Sequence, residues 1–97
     1  MYLNLIDEGR KAINLAIKFK PNDSDIWNSA GFYWMAYNNF EKSVDAFNKS
    51  IQLNPQNAKA WDNKGNALLK LGLIDESAVC KTEAVKLDPR YANNKIK

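Results

Sequence analysis

The chain contains no histidine and a single cysteine, Cys80, in 97 residues. A zinc cluster needs several thiolate or imidazole ligands, and a cysteine nucleophile needs a neighbouring base, so neither can be assembled here. An intrachain disulfide is excluded by the same shortage. Glycine occurs four times, with no run that could cradle a phosphate. No paired carboxylates or nucleophile-base couple stand out either, so an enzyme is not expected, nor a cofactor or a bound metal. Continuous apolar stretches long enough to cross a bilayer are missing. The opening residues, Met1 to Glu8, lack a basic region followed by an apolar run. Together these absences predict a cytoplasmic protein with no membrane partner.

What is present is a balanced composition, 45% hydrophobic and 26% charged, which suits one soluble folded unit over residues 1–97. The formal charge of +3 invites the idea of an anionic partner. The lysines, however, are spread along the chain and interleaved with Asp and Glu. They read as a solvated helix surface, which makes nucleic acid an unlikely partner.

Order enters through periodicity. Pro21, Pro55 and Pro89 are spaced 34 residues apart, and Trp27/Trp61, Gly31/Gly65, Ser43/Ser77 and Leu53/Leu87 recur at the same offset. Leu5-Ile6-Asp7-Glu8 returns as Leu73-Ile74-Asp75-Glu76, 68 residues on. Self-similarity at a fixed period of this size is the signature of stacked supersecondary units, each too small to bury its apolar face alone.

Within the repeat the apolar spacing is helical. Leu5 to Lys18 predicts a first amphipathic helix, ended by Pro21, which forces the preceding residue out of the α region. Ser24 to Tyr37 predicts a second, capped from the Asn22-Asp23-Ser24-Asp25 segment. Its stripe of Trp27, Ala30, Gly31, Trp34 and Tyr37, with Ile26 and Tyr33 beside it, covers most of the circumference, so it should be sandwiched on two sides. Glu41 to Leu53, Ala58 to Lys70 and Asp75 to Leu87 predict three more. Asn4, Asn38 and Gly72 occupy equivalent positions, and all three residue types tolerate the left-handed conformation that ends a helix. The organisation is a half repeat (1–21), two full repeats (24–57 and 58–91) and a stub of a further helix (92–97). Gly31 facing Ser43, and Gly65 facing Ser77, would let paired helices cross closely, with Trp27 and Trp61 filling the wider space beside the contact.

The combination Trp27-x-x-Ala30-Gly31-x-x-Trp34, Ser43-x-x-x-Phe47, Pro55 resembles a tetratricopeptide repeat. So does Trp61-x-x-Lys64-Gly65-x-x-Leu68, Ser77, Ala84, Pro89, and the resemblance covers nearly the whole chain. Lys64 and Lys81 depart from it, standing where an apolar residue and an aromatic are usual. The resemblance implies an all-α, right-handed solenoid of antiparallel helix pairs, about two and a half repeats long. It also implies a protein-protein interaction scaffold in which the first helices of successive repeats line a concave groove for a peptide or protein segment. On this chain the groove side would be Asp25, Asn28, Phe32 and Met35, then Lys59, Asp62, Asn66, Leu69 and Lys70. Phe32 and Met35 either bind a partner or pack on a neighbouring helix. One member type of the family binds a chaperone's C-terminal carboxylate through Lys, Asn and Arg. Asn63 matches one such position, but Asn28 and Phe32 replace the required Lys and Asn, so that ligand is not expected.

An RNA-binding helical-repeat module is the alternative reading, since related solenoids read single-stranded RNA. It would need stacking and basic residues aligned along the groove, where Asp25 and Asp62 stand instead. The ends of the array raise a separate expectation. Leu5, Gly9, Ile13 and Ala16 would lack a covering helix at one end, and the helix from Asp75 would be thinly covered at the other. Repeat arrays need capped ends, so the chain should self-associate, as a two-fold homodimer or by head-to-tail stacking.

Overall fold

Two residues with positive φ, Asn38 at 65° and Gly72 at 82°, fold the chain back on itself twice at the same point of the repeat. The amide of the following residue closes each turn onto the helix just ended: Asn39 N–H donates to Trp34 O, and Leu73 N–H to Leu68 O, each at 2.9 Å. In this computed structural model, which describes the backbone of residues 2–95 and the side chains of residues 7–92, these turns join pairs of antiparallel helices. The helices are α1 (Tyr2–Phe19), α2 (Ser24–Ala36), α3 (Phe40–Leu53), α4 (Ala58–Lys70) and α5 (Ile74–Leu87), and a 3-10 helix follows over Pro89–Lys95. No strand occurs among the described residues.

Helix starts follow the side chains available. Asp23 caps α2 by accepting from the amides of Asp25 at 2.9 Å and Ile26 at 3.3 Å. Asn39 and Asn57 do the same for α3 and α4. Helix α5 begins after Leu73 with no side-chain cap, and Asp75 and Glu76 in its first turn face the positive end of its dipole instead.

The pairs α2/α3 and α4/α5 pack most extensively, α3 lies against α4, and α1 covers one side of α2. Helix α2 is thus held between α1 and α3, as its nearly all-round apolar sequence requires. The result is an elongated body of 38 × 27 × 22 Å. Its core is built mainly of small side chains, Ala30, Ala46, Ala60, Ala67, Cys80 and Ala84, around Phe47 and Leu68. Small residues let helix axes approach, and the one large ring then fills what remains.

Between α2 and α3 the two-helix seam is polar at one end. The hydroxyls of Ser24 and Ser50 lie 2.9 Å apart, and each bonds the other residue's carbonyl, at 2.9 and 2.8 Å. Asn57 Nδ2 adds a bond to Ser24 Oγ at 2.9 Å, tying the first turn of the next repeat to the seam. One repeat later the equivalents of the two serines are Ala58 and Ala84, and the seam there is closed by methyl groups.

Several expectations are corrected. Asn4 lies inside α1 rather than at a left-handed turn. The feature after Tyr91 is a 3-10 helix that already starts at Pro89, because Asp88 O accepts from Tyr91 N–H and tightens the turn; Ile96 and Lys97 lie outside the described residues. Gly31 meets Phe47, not Ser43, whose hydroxyl bonds back to Asn39 O at 3.0 Å. Gly65 meets the stem of Lys81, the equivalent of Phe47, while Ser77 does reach Gly65 O at 2.7 Å. Trp27 and Trp61 are half-buried and not enclosed, since each turns its indole N–H outward to a proline carbonyl, Pro21 O at 2.8 Å and Pro55 O at 2.9 Å.

Candidate functional site

Helices α2 and α4 present their free faces to the same side, and between them lies a recess of about 380 Å³ lined by Asn28, Ser29, Phe32, Lys59 and Asn63. Phe32 is its apolar wall, a large hydrophobic side chain that is nevertheless 59% exposed. Its position follows from α2's crowding: Trp27, Gly31 and Trp34 already serve the two packed sides, so the ring one residue past Gly31 is left facing water. The floor is a pair of amides. Asn63 Nδ2 donates to Asn28 Oδ1 at 3.1 Å, across the two helices, and Asn28 is buried. Lys59, exposed on the first turn of α4, is the cation at the rim.

The nine residues expected on the groove side therefore divide. Asn28, Phe32 and Lys59 come together, joined by Ser29 and Asn63. Asp25 stands exposed at the start of α2, within 3.4 Å of Asn57 Nδ2. Met35 is half-buried and Lys70 is exposed, and neither lines the recess. Asp62 and Asn66 do not line the recess and are engaged by Lys81 instead. The Lys81 ammonium, reaching from α5, bonds Asp62 Oδ1 at 3.0 Å and also Asn66 Oδ1, with the Asp62 side chain only 13% exposed. Lys81 thus takes over the space of the Phe47 ring with its stem and puts its charge on Asp62. With that carboxylate neutralised, the middle of the concave face is less acidic than the sequence suggests. Leu69 lies at the far end, where it lines a separate apolar recess with Ile74, Ala78 and Val85. Burial pushes the Tyr91 hydroxyl's pKa up, and the nearby carboxylates of Asp62 and Asp88 add to the rise.

The N-terminal set is rearranged too. Gly9 is covered, because a Cβ there would press on the Tyr33 ring. Ile13 and Ala16 are half-buried, and Ile13 faces α2 and α3; Leu5 lies outside the described side chains. Among the described residues, the large apolar groups left open on α1 are Leu15 and Phe19, 55% and 74% exposed. Gly9 therefore departs from the expected open face, because α1 turns it to the Tyr33 ring for close approach. Among the described residues no helix is long and apolar enough to cross a membrane. No group of three or more His, Cys, Asp or Glu side chains among them could hold a metal ion.

Comparison with known proteins agrees with this architecture. Residues 35–72 match the family model described as TPR repeat, and residues 58–91 match the one described as Tetratricopeptide repeat. The chain belongs to the tetratricopeptide repeat family, whose fold is a protein-interaction module. No curated protein matches the sequence. Among solved structures, "First TPR of Spaghetti (RPAP3) bound to HSP90 peptide SRMEEVD" superimposes with a TM-score of 0.87 at 18% identity, over 98% of this chain and 77% of the other. "Crystal structure of MamA" gives 0.82 at 21% identity, over 95% of this chain and 54% of that one. A second MamA structure gives 0.74 at 22% identity, over 90% and 48%. The chain spans about half the length of the MamA chains.

Proposed function

We propose that the protein is an interaction scaffold that holds a peptide segment of a partner in the recess between α2 and α4. The observation that carries this reading is Phe32, an exposed ring beside the paired amides of Asn28 and Asn63 with Lys59 at the rim. An apolar wall gives affinity, and fixed amides bond a partner's main chain without demanding a charge. The first of the solved structures above is bound to a peptide, which supports a segment as the occupant. Catalysis has no place in this reading.

The test is selection of peptides from a random library, followed by NMR mapping of each selected peptide. Shifts in the side-chain amides of Asn28 and Asn63 support the reading. Shifts confined to α5 or to α1 refute it.

Self-association is a second reading, favoured by one observation. The recess lined by Leu69, Ile74, Ala78 and Val85 is the equivalent, one repeat on, of the face of α2 and α3 that α4 covers. An apolar face of that kind suits a second copy, either two-fold or head to tail. Light scattering over a concentration series decides it: a constant monomer mass refutes the reading, and growth without limit favours stacking over a closed homodimer. RNA binding has less support, because the recess offers one ring and one cation and no aligned row of either.

A further inference from the structure

The periodic sequence supplies its own control for a third recess, enclosed between α1, α2 and α3. It holds about 340 Å³, and its wall includes Ile13, Ile17, Trp27, Ala30, Asp45 and Ala46. One repeat later the corresponding space is filled. Phe47 stands in place of Ile13, and Lys64 in place of Ala30. The Lys64 ammonium lies over the Trp61 ring, 5.7 Å from its centroid. It is also near enough to Cys80, the equivalent of Ala46, for its charge to oppose the upward push of burial on the thiol's pKa. The chain's own lysine therefore lays a methylene stem and a cation into that space.

The two spaces are built alike. Trp27 and Trp61 are held by the same bond, from indole N–H to the carbonyl of the proline six residues earlier, so each presents the same face. In the earlier repeat the tenant is missing. Ala30 is too short to enter, and among the described residues no ammonium lies over Trp27. Lys42 and Trp34 also line the recess, and the Lys42 ammonium is committed to that second indole, 4.7 Å from the Trp34 centroid, leaving the Trp27 ring without a cation among the described residues. Asp45 is exposed and forms no ion pair among the described residues, where the later repeat has Val79. An open indole face and an uncompensated carboxylate thus border an apolar slot.

We propose that this slot is a binding site for a lysine side chain presented by a protein partner. The stem runs along Ile13, Ile17, Ala30 and Ala46, and the ammonium rests over Trp27 beside Asp45. The site is separate from the concave recess and does not depend on it.

The test is an NMR titration of the full chain with the peptide acetyl-Gly-Lys-Gly-amide. Its norleucine counterpart and 1,5-diaminopentane serve as comparison ligands. The lysine peptide should move the Trp27 indole N–H resonance saturably, with half-saturation on the order of 1–10 mM for so small a ligand. The norleucine peptide should bind about fivefold more weakly, the scale of one exposed cation–π contact. Asp45→Asn, at an exposed position, should shrink that difference. Ala30→Lys, which repeats Lys64, should fold with an unchanged or higher Tm and abolish the shift. Equal binding of the norleucine peptide overturns the proposal, as does an Ala30→Lys variant that binds like the parent. Failure of Ala30→Lys to fold also overturns it, because the two spaces would not be alike. Preference for the diamine over the peptide would refute a protein lysine as the source.

Discussion

The ring of Phe47 occupies the place where any residue but glycine at position 31 would carry its Cβ. This contact holds α2 to α3, and it differs from its counterpart, where a Cβ added at Gly65 would lie 3.1 to 3.2 Å from the flexible stem of Lys81. The two glycines should therefore respond differently to the same change. Gly31→Ala must displace a fully buried ring and should cost about 1–3 kcal/mol. Gly65→Ala asks only a methylene chain to move, and the gain in helix propensity, up to about 1 kcal/mol, offsets the crowding. Urea denaturation of both variants checks this; equal losses would contradict it.

The turns at Asn38 and Gly72 give an opposed pair. Asn38 is held at a φ of 65° and Gly72 at 82°, where a Cβ costs about 1 kcal/mol. Asn38→Gly should be neutral or slightly stabilising, and Gly72→Ala should lose about 1 kcal/mol. Nothing lies within 4 Å of a Cβ at Gly72, so that loss would report backbone strain alone. Thermal melts at matched concentration measure both.

Lys81 anchors α5 to α4 through Asp62 and Asn66. Lys81→Met keeps the stem that packs on Gly65 and removes the charge, leaving a carboxylate with 13% side-chain exposure unpaired. The expected loss is about 2 kcal/mol near pH 7. Adding Asp62→Asn should recover part of it. A double-mutant cycle with no coupling between the two sites would refute the pair's role.

Cys80 is buried, and desolvation raises its thiol pKa above the ordinary 9.0, with the Lys64 charge working in the opposite direction. A raised folded-state value means that the unfolded chain loses the proton first. Stability should be unaffected by this group below about pH 9.0 and fall as pH rises above it. Labelling by a thiol reagent should track unfolding. Rapid labelling of the folded protein at neutral pH would contradict the burial.

The periodic markers made the architecture legible. The span Ala58 to Lys70 and the turns at Asn38 and Gly72 follow from spacing and residue type. The site was legible only in part. Phe32 was readable because its helix's other faces were spoken for by Trp27, Gly31 and Trp34. The diversion of Asp62 was not, because it depends on Lys81 reaching across from α5, a contact 19 residues away in sequence. Lys81 did break the family pattern, which was the available signal. Asn63 was singled out for another ligand, and its partner, Asn28, lies 35 residues back. The exposed face of α1 was not legible, because it depends on Gly9 meeting the Tyr33 ring, a contact with another helix.

The central claim is that the α2/α4 recess holds a partner segment against Phe32, and one affinity measurement tests it directly. A peptide selected on the parent protein should bind Phe32→Ser at least tenfold more weakly, about 1.4 kcal/mol, with an unchanged Tm because the ring is 59% exposed. Equal affinity for the parent and the variant, measured by titration calorimetry, would contradict the account.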